Sequence, residues 1–217
     1  MFKYTHITLP SPKQRYLSDL ERQKFNYDSA HAVAGDLLQS LYEQLVQQEG
    51  VNYKKGLFTK FKNKFISFDK VEPIKGLYFW GGVGRGKTYL MDGFFESLPS
   101  DKKIRLHFHR FMKRVHKDLK RLQGEKNPLT IVAANIANEA HVICFDEFFV
   151  LDIADAMLLG KLFELLVSLN VVLVATSNVV PDNLYLNGLQ RNQFHPEIKS
   201  LQKNTTIYNL NRVIVYD

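Results

Sequence analysis

Gly81, Gly82, Val83, Gly84, Arg85 and Gly86 run directly into Lys87 and Thr88, a spacing suited to holding phosphate. Glycines let consecutive backbone N–H groups turn inward around phosphate oxygens, and a helix opening behind them adds the positive end of its dipole. In such a loop Lys87 reaches the β- and γ-phosphates and the Thr88 hydroxyl ligates Mg²⁺. With Tyr89 directly behind, residues 81–89 form the expected nucleotide-binding set, and ATP with Mg²⁺ the expected ligands.

Asp146 and Glu147 end the apolar run VICF, 59 residues beyond Lys87. Either two acids merely close a strand, or Asp146 holds the Mg²⁺ shell and Glu147 acts as general base on an attacking water. The preceding phosphate loop favours the second reading. Asn178 ends a later apolar run and suits either a turn or the orienting of that water. Arg191 lies in the polar stretch NGLQRNQF. It is either a surface group or an arginine that completes the site of a neighbouring copy.

These side chains need a scaffold, and the apolar pattern supplies one. The apolar runs Gly76–Trp80, Val142–Phe145 and Val171–Ala175 read as strands, as do the more polar segments Lys103–His109 and Thr205–Leu210. Helical spacing separates most of them: one helix behind the loop stops at Pro99, and one carries Phe111, Val115, Leu119 and Leu122. Another opens at Asn127-Pro128 and ends near Ala140, and one capped by Asp152 carries Leu158, Leu162 and Leu165. Strands alternating with helices predict an α/β fold, a five-stranded parallel sheet with helices on both faces. Ahead of it, Val33, Leu37, Leu41 and Leu45 predict a helix ending near Gly50, and residues 1–24 read as a polar arm. The expected division is a helical region over 1–70 and a P-loop core over 71–217.

The chain has 217 residues, 45% apolar and 24% charged. No apolar run is long enough to span a bilayer, and the first residues show no targeting signal. The single cysteine, Cys144, excludes an intramolecular disulfide and suits a reducing compartment. The formal charge of +7 is local: residues 101–126 hold ten basic against three acidic groups. Lys113, Arg114, Lys117, Lys120 and Arg121 surround the apolar stripe there and suit an acidic or phosphate-bearing partner. KFKNKF at 60–65 is a second basic candidate. His107, His109 and His116 have no Cys or carboxylate at ligand spacing, so no metal other than Mg²⁺ is expected. Phe111 and Met112 fit a substrate-gripping turn, but core packing is the better reading.

Taken together, the loop, the Asp-Glu strand end, the Asn and the Arg resemble an AAA+ module. More narrowly, GLYFWGGVGRGKTYLMD, RLHFHRFMKRVHKDL, VICFDEFFVLDIADAMLLGKLFELL, VATSN and LYLNGLQRNQFHPEI resemble the ZapE/AFG-like ATPase family, from about Tyr27 onward. The resemblance implies Walker A at Gly81–Thr88, Walker B at Asp146 and Glu147, sensor 1 at Asn178 and an arginine finger acting in trans at Arg191. It implies Mg²⁺-dependent ATP hydrolysis by a homo-oligomer that remodels a protein partner, the FtsZ ring in bacterial members. It also implies a place in the cytoplasm, near the division site or the inner membrane surface. His31 stands where the family usually has Gln, and His195 where it usually has Leu. The family pattern continues beyond a point equivalent to Asp217, so a chain cut before its C-terminal lid is expected. Two alternatives stay open: a helicase-loader-like ATPase acting on nucleic acid, and an ATP-gated binding module with incidental turnover.

Overall fold

A computed structural model describes residues 9–23, 27–59, 73–186, 188 and 191–211. The KFKNKF segment at 60–65 lies outside the described residues. Two helices, α1 (Pro12–Glu21) and α2 (Ser29–Thr59), precede β1 (Gly76–Trp80) and α3 (Lys87–Ser97). Next come β2 (Lys103–His107), α4 (Phe108–Arg121), α5 (Pro128–Glu139), β3 (Val142–Asp146) and α6 (Ile153–Ser168). The chain closes with β4 (Val172–Ser177), α7 (Arg191–Asn204) and β5 (Thr205–Asn209). The strands form one parallel sheet in the order β2-β3-β4-β1-β5, so the expected fold class is what the chain adopts.

Near-continuous apolar runs suit the inner strands because both faces of the sheet are covered. Their side chains divide by the two-residue period of a strand. Tyr78, Ile143, Phe145, Leu173 and Ala175 face a core built with α4, α5, α6 and α7. Leu77, Phe79, Val142, Cys144, Val172 and Val174 face a second core built with α2 and α3. The first core is strongly aromatic. The ring centroids of Phe108 and Phe148 lie 4.4 Å apart, those of Phe111 and Phe145 4.8 Å, and Tyr78 meets Phe148 edge-on at 5.9 Å. Burying each such ring is worth roughly 1.5–3 kcal/mol, and offset or edge-on pairs add about 0.5–1.5 kcal/mol. Phe145 and Phe148 flank Asp146 and Glu147, so this aromatic cluster sits beneath the acidic pair.

Several local expectations are corrected. Residues 12–21 are helical, because Ser11 and Gln14 form a capping box and Pro12 opens the first turn. Helix α2 runs through Gly50 to Thr59; an interior glycine costs only about 1 kcal/mol relative to Ala, which does not by itself end a helix. Asn127 stands before α5 in the left-handed region at φ 59° and makes no side-chain cap, whereas Asp152 does cap α6, accepting from the Ala154 amide at 2.6 Å. Helix α4 starts at Phe108, directly after β2, which leaves no substrate turn at 110–112. Phe111 and Met112 are both 1% exposed, so core packing holds for them. Helix α7 begins at Arg191, inside the stretch read as polar, and places Phe194, Ile198 and Leu201 in the core.

Candidate functional site

Parallel strands bring their carboxyl ends to one edge, and the crevice there is where open α/β sheets bind ligands. A cleft of about 670 Å³ lies along that edge. Residues 83–89 of the loop and first turn line it, facing Asp146 and Glu147 at the end of β3, Thr176–Asn178 at the end of β4, and Arg105 and His107 from β2. The structure thus gathers most of the expected site in one place.

The loop is held from several sides. Gly84 and Gly86 sit at φ +80° and +66°, values that side-chain-bearing residues adopt only under strain. A Cβ on Gly86 would also come within 2.7 Å of the His31 ring. His31, from the first turn of α2, donates from Nε2 to the Arg85 carbonyl at 2.9 Å. The Arg85 guanidinium donates to the Leu210 carbonyl at 3.0 and 2.7 Å and lies 3.6 Å from Asp28. The Gly82 amide donates to Asn211 Oδ1 at 3.0 Å and the Gly81 amide to the Ser177 carbonyl at 3.2 Å. Gly86 ends the loop and begins α3, whose first-turn amides have no partner within the helix. Lys87 Nζ donates to the carbonyls of Gly81 and Gly82 at 2.6 and 2.7 Å, and burial lowers its pKa. Tyr89 lines the cleft, with its hydroxyl donating to Asp19 on α1 at 2.9 Å.

On the facing side, Asp146 is largely buried and gripped by Arg105. Nε donates to Oδ2 at 2.8 Å and Nη2 to Oδ1 at 3.3 Å. The third arm of Arg105, Nη1, bonds Asp92 on α3. Burial pulls the guanidinium pKa down, but the hydrogen bonds and charges of Asp146 and Asp92 outweigh it and leave the pKa raised. Glu147 is different in kind: its side chain is 77% exposed, 3.6 Å from His107 Nδ1, and its backbone is left-handed at φ 53°. The Phe148 amide donates to the Thr176 carbonyl at 2.7 Å, and Ser177 Oγ to the Phe148 carbonyl at 2.7 Å. These bonds tie the acidic turn to the strand that carries Asn178.

Thr88 and Asp146 offer oxygen donors across the same cleft, the ligand type that Mg²⁺ takes while keeping several of its waters. The residues present therefore fit Mg²⁺. Among the described residues no group of three or more His, Cys, Asp and Glu side chains could hold a metal ion. The His107 and His109 rings stack at 5.9 Å, and His116 pairs with Asp155 at 2.6 Å.

Gly81 and Gly82, at the start of the loop, are not among the residues that line the cleft, and neither is Arg191. Arg191 opens α7 and donates from Nη2 to the Asp182 carbonyl at 2.5 Å. Four groups border the site in roles that no motif in the sequence marks: Arg105, His107 as a neighbour of Glu147, Asn211, and Arg85 as an anchor. Period-two spacing from His107 back to Arg105 was the one available signal, since it puts both on the same face of β2.

A family model described as AFG1-like ATPase matches residues 10–216. The chain belongs to the AFG1-like ATPase family. Among AFG1-like relatives, the cell division protein ZapE of Escherichia coli K12 is 44% identical over 209 residues, which is 95% of this chain and 56% of that protein. The chain thus spans just over half the length of that relative. Two solved structures share the fold at low identity. The crystal structure of DnaI superposes with a TM-score of 0.57 at 15% identity, covering 96% of this chain and 95% of that one. AMPPCP-bound DnaA from Aquifex aeolicus superposes at 0.54 and 14% identity, over 86% of this chain and 48% of that one. No helix among the described residues of this AFG1-like chain is long and apolar enough to cross a membrane.

Proposed function

We propose that this chain is the catalytic core of a cell-division ATPase that couples Mg²⁺-dependent ATP hydrolysis to remodelling of a protein partner, an FtsZ-like polymer, in the cytoplasm at the division site. The observation that carries it is the convergence of the glycine loop, Asp146, Glu147 and Asn178 on one cleft; the likeness to a cell division protein supports the setting. Residues 71–217 form the core in this reading, and residues 1–70 the helical region that holds its loop through His31.

Each residue has a part. Gly81 and Gly82 anchor the start of the loop, and the amides of residues 83–89 with Lys87 bind the triphosphate, Lys87 exchanging its two loop carbonyls for phosphate oxygens. Thr88 and Asp146 hold Mg²⁺, which when bound neutralises charge on the β- and γ-phosphates. Glu147, exposed to water at the mouth of the cleft, takes the proton of the attacking water, and Asn178 orients that water. Arg191, lying outside its own cleft, completes the site of a second copy and stabilises charge as the bond to the γ-phosphate breaks. Activity therefore requires a homo-oligomer.

A second reading rests on α4. Arg110, Lys113, Lys117 and Lys120 are exposed along one side of that helix, a cationic stripe that suits nucleic acid as well as an acidic protein. The phenylalanines of α4 are buried, so the stripe has none to stack on single-stranded bases, and a protein partner is the better fit. ATPase rate against protein concentration, with and without an FtsZ-like polymer or single-stranded DNA, tests both. A rate that climbs faster than concentration and rises further with the polymer supports the first reading. Stimulation by single-stranded DNA alone moves the assignment to the second, and no hydrolysis at any concentration leaves an ATP-gated binding module.

A further inference from the structure

Arg105 belongs to no motif of the nucleotide site, yet it is the group in closest contact with Asp146. Its side chain is 20% exposed and that of Asp146 17%, so water screens the pair poorly. The fork takes one hydrogen bond on each oxygen of Asp146. A carboxylate has about four lone-pair sites, so each oxygen keeps one for a metal ion or a metal-bound water. Asp92 pins the far end of the same guanidinium to α3, the helix that carries Lys87 and Thr88. One cation thus joins the helix that binds phosphate to the strand that offers the carboxylate. Without it, two carboxylates would face a space shaped for positive charge.

We infer that Arg105 is a positioning residue that presents Asp146 to the metal and, by neutralising Asp92 and Asp146, makes capture of a divalent cation depend on nucleotide. A free cation meets a carboxylate already paired with a guanidinium. A cation arriving with a triphosphate brings its own phosphate ligands and needs only the spare lone pair. The inference rests on the nucleotide-site reading above. It assigns Arg105 a role in order of binding, which a purely structural ion pair would not have.

The test is Mn²⁺ binding to the full chain, followed by electron paramagnetic resonance with and without a non-hydrolysable ATP analogue. Wild type is expected to bind Mn²⁺ tightly only with the analogue. Arg105→Gln should gain a nucleotide-independent site at least about tenfold tighter than wild type, and adding Asp146→Asn should remove it. Arg105→Lys keeps the charge but cannot fork both oxygens. It should resemble wild type without nucleotide and bind Mn²⁺ with the analogue about threefold or more weakly. An Arg105→Gln protein that binds free Mn²⁺ no tighter than wild type overturns the inference while the nucleotide site stands. Should that variant not fold, an Arg105→Lys protein matching wild type in both titrations overturns it equally. Wild type that takes no Mn²⁺ even with the analogue defeats the nucleotide-site reading itself.

Discussion

Glu147 combines two properties that pull against each other. Its backbone sits at φ 53°, where a residue with a Cβ is strained by about 1–2 kcal/mol, and this geometry turns its carboxylate outward at the cleft mouth. Glu147→Gly should therefore raise the unfolding free energy by about 1 kcal/mol while removing turnover, read by denaturant titration beside an ATPase assay. A less stable variant would show that the carboxylate contributes to the fold and not only to chemistry. Glu147→Gln should keep ATP binding and lose hydrolysis; turnover at the wild-type rate sinks the general-base assignment. Cys144 is the opposite kind of residue. It is fully buried in the core between the sheet and helices α2 and α3, and burial pushes its thiol up to about 12. At pH 8 the thiolate is roughly one part in ten thousand, so a chromogenic disulfide reagent should label Cys144 only on unfolding. Rapid labelling of native protein would contradict that burial.

At the scale of elements, α4 shows how a helix can serve two ends. Its buried side, Phe108, Phe111, Met112 and Val115, packs beneath the acidic turn, while its other side carries the cationic stripe. Phe111→Ala should cost about 3–5 kcal/mol and lower the melting temperature, because the ring is enclosed against Phe145. A stable Phe111→Ala protein with impaired partner handling would instead return Phe111 to the surface role set aside here. Helix α2 acts in the same way at a distance. Leu38 and Leu41 bury it on the sheet, and that anchoring delivers His31 to the loop carbonyl of Arg85.

For the whole molecule, the decisive feature is that Arg191 and the cleft are separate in one chain. An arginine that works across subunits can be rescued by mixing. Arg191→Ala protein combined with Lys87→Ala protein should recover part of the ATPase activity, since some interfaces join an intact cleft to an intact arginine. Recovery absent across all mixing ratios would argue that Arg191 acts within its own chain or not at all.

Fold class and cleft were legible because they rest on short-range patterns. Apolar runs alternating with helical spacing dictate a parallel sheet, and glycines ahead of Lys-Thr need only local backbone freedom. Strand ends in a parallel sheet share one edge, so Asp146, Glu147 and Asn178 had to meet the loop. Helix α7 is hard to read from the sequence because the polar letters around Arg191 mask the i, i+4, i+7 spacing of Phe194, Ile198 and Leu201. Arg105 to Asp92 and Asp146, His31 to Arg85, and Asn211 to Gly82 were not legible at all. Each joins residues far apart in the chain, and the geometry of such a bond exists only once the sheet has brought its elements together. The sequence by itself determined that a glycine-rich Lys-Thr loop and two acids lie at strand ends of one sheet edge. Tertiary structure decided which cation grips Asp146, because a guanidinium chooses its carboxylates by distance, and distance belongs to the fold.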